Sequence, residues 1–349
     1  MFPPRTFSHD PEPPIVFMKI PPILRFIPLF ILVSRFPAIA ESKLETTTTA
    51  TANGVTITAK VDQAAKKVRV EIGGSLFTEL VYSGHPKPVL FPVIGPGGMM
   101  MVRQWPMSEA AAGEEKDHPH HKGLWFTHGN VNGVDFWAEK PEAGKIVVQG
   151  VPEVSSKDGA VVLKTSESWQ KPDGSVVVGS TTSITCGVDG EDRFIDYTIT
   201  LSTDAGEVVF GDTKEGTMGI RTNPLLNLKG AGAKGTATSS EGKTGASIWG
   251  TSAKWLDYTA PAGEGAIGVA CFDHPSNLRH PTTWHARDYG LIAANPFGLH
   301  DFQKKPVGAG DYVLKKDQPL KLQYRWLFHR GGTAEARIAQ RWEKWAAVK

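Results

Sequence analysis

The chain has 349 residues, 38 Lys and Arg against 36 Asp and Glu, a formal charge of +2 and two cysteines. So even a balance supplies no extended field for nucleic acid or an anionic membrane, and the absence of Cys-x-x-Cys spacing excludes zinc-ribbon and thioredoxin chemistry. The length supports a large core, in one big all-β domain or two ordinary ones.

Residues 1–40 have the pattern of a leader. Met18-Lys19 opens it better than Met1: Lys19 and Arg25 form a basic region, Phe26 to Val33 an apolar run, and Ala38-Ile39-Ala40 a small-x-small cleavage signal. The run is too short to span a bilayer. Removing the segment takes away four basic and two acidic residues and leaves no net charge. The remainder is expected to be periplasmic or secreted and not inserted in a membrane, with residues 41–54 as a flexible spacer. Cys186 and Cys271 fit one disulfide or two buried thiols equally.

Beyond Gly54 the chain reads as strands. Val55 to Thr58, Val68 to Ile72 and Phe77 to Tyr82 alternate apolar and polar residues, with Gly73-Gly74 as a hairpin turn. A polar loop from Ser108 to Lys116 leads into Asp117-His118-Pro119-His120-His121-Lys122-Gly123-Leu124-Trp125-Phe126-Thr127-His128, then Asn130, Asn132, Asp135 and Trp137. After Trp137, strand-like runs at 145–151, 160–169, 176–186, 193–202 and 207–212 are separated by Asp158-Gly159, Asp173-Gly174 and Asp189-Gly190, the pattern of an antiparallel meander. Residues 229–245, rich in Gly, Ala, Ser and Thr, read as an exposed loop or hairpin tip. Runs at 255–259 and 266–272 deliver a second histidine stretch, Asp273-His274-Pro275 to His280, then His285, Arg287, Asp288 and Tyr289. A last strand at 321–329 precedes a helix from Thr333, whose Ile338, Trp342 and Trp345 fall on one apolar face.

The two stretches hold seven of the eleven histidines, and they are expected to meet in space. His118 and His120, two apart, would share one face of an extended segment, a spacing that suits one transition-metal ion with His274 as a third ligand. A rim loop whose histidines bond backbone and carboxylates, or metal-free acid and base chemistry by His120, His121 and His285, are the alternatives. Glu215 is the candidate carboxylate partner, with Asp212 beside it. Arg221 is expected to clamp a carboxylate or sugar hydroxyls, or to neutralise Glu215. Asp117, His128, Asn132, Asp135, His280, Arg287 and Asp288 are the remaining candidate ligand contacts, and His128, Asn130 and Asn132 equally fit an Asx-turn cluster that shapes a hairpin.

The runs Asp-His-Pro-His-His-Lys-Gly-Leu-Trp-Phe, Asn-Gly-Val-Asp-Phe-Trp, Gly-Ile-Arg-Thr, Phe-Asp-His-Pro-Ser-Asn and Trp-His-Ala-Arg-Asp-Tyr-Gly resemble exported bacterial proteins of the PmoA family, also labelled methane oxygenase PmoA. The resemblance covers residues 55–345 and carries no assigned catalytic residues; its label implies a metal-dependent oxidative enzyme. A weaker likeness, resting on architecture and on His120 to Gly123, is to the galactose-mutarotase-like supersandwich. The expectation is one all-β domain, residues 55–349, a large antiparallel β-sandwich of supersandwich type with a C-terminal helix. Its concave site would make it an exported carbohydrate-active enzyme acting by epimerisation, elimination or hydrolysis on a small-molecule or oligosaccharide substrate. The metal-dependent oxidative enzyme and a non-catalytic glycan-binding protein are the alternatives.

Overall fold

In the computed structural model of the protein, residues 46–204 and 206–348 are described. The leader and the front of the spacer lie outside them. The rest of the spacer is not flexible: Thr47–Ala52 is a strand, paired along its whole length with Val55–Asp62. β-Branched threonines favour this, and Asn53-Gly54, both at positive φ, close the two-residue hairpin that an Asn-Gly pair prefers.

Among the described residues, two antiparallel sheets dominate. The first runs, in spatial order, Thr47–Ala52, Val55–Asp62, Lys67–Ile72, Ser75–Val81, Val89–Val93, Leu124–His128, Gly216–Arg221, Leu291–Ala294 and Trp284–Ala286. The second runs Thr236–Ser239, Trp255–Ala262, Gly265–Asp273, Leu320–Arg330, Asp192–Ser202, Val176–Asp189, Ala160–Gln170 and Lys145–Val148, with Glu153–Lys157 also on Ala160–Gln170. The expected meander is its centre, and Gly73, Gly74, Gly159, Gly174 and Gly190 occupy their turns at positive φ. The 229–245 segment is not all loop, since Thr236–Ser239 extends the second sheet.

One apolar cluster fills the space between the sheets, where alternate residues such as Leu124, Phe126, Met218, Ile220, Ile292, Leu163, Ile195 and Trp326 point. Helix Ile338–Ala346 packs on the outer face of the second sheet through Ile338 and Trp345, against Trp255, Phe272 and Leu327. It starts five residues later than expected, because residues 333–337 form turns. Cys186 and Cys271 are free and buried, two inner-face thiols rather than a disulfide.

The outer face of the first sheet carries a third cluster: Val81, Val89, Trp125, Trp137, Leu291 and Ala293. Over this small apolar floor the loop 103–122 folds back.

Candidate active site

Strand register builds the floor. Trp125 pairs with Gly219, Gly219 with Ala293, and Ala293 with His285, so these four form one row across the outer face. Gly219 makes room for the indole: a methyl group there would lie 3.0 Å from Trp125 Cζ2. His285 ends the row, and His121 stacks on Trp125 at 5.3 Å. The two histidine stretches thus meet in one cavity of about 390 Å³, whose walls include His118, His120, His121, His285, Trp137 and Tyr289. Its rim carries Asp135, Lys140, Lys214, Glu215 and Arg287.

Asp117 is the hub of the loop. Its Oδ1 accepts from Arg103 Nη1 at 2.5 Å and Arg221 Nη2 at 2.9 Å, and its Oδ2 lies 2.6 Å from His118 Nδ1. Arg103 also donates to the carbonyls of Glu115, Asp117, His118 and His121, which pins the backbone that carries the histidines. Burial would raise the Asp117 carboxyl, but Arg221, His118 and Arg103 outweigh it and hold it below the usual aspartate value. A carboxylate there fixes the tautomer: His118 Nδ1 donates, and Nε2 is left as the proton acceptor. The ring lies near-parallel to His121 at 4.8 Å and to Tyr289 at 5.2 Å. His118 also has φ 46°, a left-handed backbone that His adopts more readily than most non-glycine residues.

Burial favours the neutral form of the other three histidines of the cavity. Burial, reinforced by Lys87, depresses His120 to about 3. His121 is well below its ordinary value through burial, the neighbouring His120 and Arg221, and its Nδ1 accepts from Arg221 Nη1 at 3.2 Å. Burial and Lys214 bring His285 to about 3, and its Nδ1 is buried without a partner.

Beneath this layer Lys87, fully buried, donates to the His120 carbonyl at 2.9 Å and to Glu139, which also binds Lys122. Burial lowers Lys87 to about 8 in spite of Glu139. Arg103 is likewise lowered to about 10, by burial and then Arg221. No motif in the sequence marks Arg103, Lys87 or Glu139, and Tyr289 figures there only as a member of the second histidine stretch. A lone cation inside an apolar run was the available signal, Lys87 between Pro86 and Pro88 and Arg103 after Met99 to Val102, because such a residue is buried only with a partner.

Several expected contacts lie elsewhere. His128 points to the inner face of its strand, where Nε2 donates to the Gly211 carbonyl at 2.8 Å and burial lowers it to about 4. The strand period of two sends it there, since Trp125 and Thr127 take the outer face. Asn132 is an exposed turn residue at φ 49° whose Oδ1 accepts from the Val209 N–H, and Asn130 accepts from Gly133, so this cluster shapes a hairpin. His280 bonds Asp273 at 2.6 Å and stacks on Trp342 of the C-terminal helix. Asp288 holds Leu228 and Lys229 by its carbonyl and is not among the cavity walls. Asp212 accepts from the amides of His300 and Gly310. Arg221 pairs with Asp117, not with Glu215, whose carboxylate binds Lys214.

His274 bonds Ser276 at 2.7 Å and packs edge-on to Trp345, beside the C-terminal helix. It does not join His118 and His120. Among the described residues no three His, Cys, Asp or Glu side chains converge as a metal ion requires, and the Nδ1 atoms of His118 and His121 are already engaged. The residues present do not fit the transition-metal centre that the His-x-His spacing suggested.

Residues 67–343 match the family of unknown function DUF6807, and the chain belongs to that family. The match carries no activity, and the PmoA label is no part of it. No curated protein matches the chain. Similar solved structures include an α-galactosidase from Lactobacillus brevis, at 10% identity and TM-score 0.32, covering 83% of this chain and 40% of that one. A galactose 1-epimerase from Lactobacillus acidophilus NCFM is similar at 9% identity and TM-score 0.33, covering 82% of this chain and 100% of that one.

Proposed function

We propose that the cavity is the active site of an exported carbohydrate-active enzyme, with His118 as its general base and acid. The observation that carries this reading is the 2.6 Å contact of Asp117 with His118 at a cavity wall, the carboxylate itself fixed by two arginines. Three elements needed for proton transfer are together: an oriented imidazole, cations able to stabilise a developing oxyanion, and a half-open pocket of small-molecule size.

Epimerisation or elimination suits this set best. The C–H bond next to a carbonyl breaks, its proton passes to His118 Nε2, and its electron pair moves onto the carbonyl oxygen facing Arg287 and Lys214. Protonation of the opposite face by solvent, with His118 then losing the proton it took, gives the epimer; departure of a β-substituent, which takes that proton from His118 as the electron pair returns to form the double bond, gives the unsaturated product. His120, His121 and His285, held neutral, serve as hydrogen-bonding walls. Export rests on the leader-like pattern of residues 1–40.

The test is turnover of an oligosaccharide panel by the chain from Glu41, beside His118→Gln. An enzyme loses turnover while keeping affinity, about 10²–10⁴-fold for a general base. A glycan-binding protein without catalysis would show no turnover in either form and equal affinity in both.

A further inference from the structure

The cavity is rich in cations. Around it lie three groups in which cations outnumber the carboxylates they pair with or face. Arg103 and Arg221 share Asp117; Lys87 and Lys122 share Glu139; at the rim Lys140, Lys214 and Arg287 face Asp135 and Glu215. The chain as a whole is only +2, so this excess is local. The rim carboxylates are already occupied: Asp135 Oδ1 accepts from the amides of Trp137 and Ala138 at 2.7 and 3.1 Å, and Glu215 binds Lys214. The donors are not. Among the described residues Arg287 has no carboxylate partner, its guanidinium resting over the Tyr289 ring at 5.5 Å. Trp137 Nε1 is buried with no acceptor. A buried donor without an acceptor is costly, and an unpaired cation beside it makes a site that an anion completes.

We infer that the substrate carries a carboxylate, as in a uronic-acid residue, seated against Arg287 with Trp137 beside it. This rests on the carbohydrate reading above and narrows it to acidic sugars. A neutral sugar would leave Arg287 without a counter-charge.

The experiment is calorimetric titration of the wild type with uronic-acid trisaccharides and with the same trisaccharides reduced at the carboxyl group, repeated with Arg287→Gln and Arg287→Lys. At least one acid is expected to bind the wild type about tenfold or more tighter than its reduced counterpart. That preference should fall to within about twofold in Arg287→Gln, persist in part in Arg287→Lys, and weaken at about 0.5 M salt. Equal or tighter binding of the reduced sugars would overturn the carboxylate and leave the carbohydrate reading standing. Binding of neither kind by the wild type would overturn both. An acid preference unchanged in Arg287→Gln would remove Arg287 from the assignment.

Discussion

Three aspartate–histidine contacts among the described residues differ little in length: Asp117–His118 at 2.6 Å, Asp273–His280 at 2.6 Å and Asp257–His329 at 2.9 Å. Their surroundings differ. Both side chains of Asp257–His329 are fully buried, and the ring fills the space that Gly268 leaves. Asp273 is fully buried and also accepts from Asn277 Nδ2 and the Thr282 amide, so it ties the 274–282 loop to the second sheet. Asp117 and His118 are 35% and 41% exposed, and only this pair has its imidazole on a cavity wall lined by cations. The contact alone does not make a catalytic pair; solvent access and the groups facing the free nitrogen do.

The contrast can be broken by substitution. Asp273→Ala removes the acceptor of the buried Thr282 amide, of His280 Nδ1 and of one Asn277 Nδ2 hydrogen, and is expected to cost roughly 3–5 kcal/mol, a fall in Tm of roughly 10 °C in differential scanning calorimetry. A fall of a degree or two would mean that the pair at 273 and 280 is not the anchor described. Next in size, Gly268→Ala places a methyl group 2.2 Å from the His329 ring and should destabilise by about 1–3 kcal/mol. Unchanged urea midpoints would show that the Asp257–His329 pocket is loose.

His128, buried with no carboxylate partner, is the control for the pairs. Its folded value of about 4 lies below the ordinary 6.5, so the native state holds it neutral while the unfolded chain takes up a proton. Stability from this residue is complete above pH 6.5 and is lost as pH falls towards 4, by up to about 1.4 kcal/mol per pH unit. His329 has the opposite sign: burial lowers it, but Asp257 outweighs burial and raises it, so its contribution is present below 6.5 and lost as pH rises through the raised value. Urea midpoints from pH 4 to 8 should therefore fall steeply on the acid side in the wild type and less steeply in His128→Gln. Identical acid slopes in the two proteins would contradict the neutral, buried assignment.

Much of the architecture was legible because strand alternation and turn chemistry are local. The Asp-Gly and Gly-Gly turns and the meander they separate appear as written. Asn53-Gly54 obeys the same rule and turns the threonine run expected as a spacer into the first strand of a hairpin. The site was legible in part. His118, His120, His121 and His285 converge because the strand Gly216–Arg221 lies between the two histidine stretches, but nothing local distinguishes His285 from His280, five residues away and committed to the helix side. His128 was misplaced by one step of a two-residue period, and the partners of Arg221 and Lys87 come from a long loop whose path no pattern in the sequence encodes.

The most direct measurement is kcat and KM for the wild type, His118→Gln and His280→Gln on whichever acidic oligosaccharide the wild type turns over, with Tm recorded for each. The account predicts a loss in kcat of about 10²–10⁴-fold in His118→Gln with Tm nearly unchanged, and the reverse in His280→Gln: activity within about twofold and a lower Tm. Full activity in His118→Gln would contradict it.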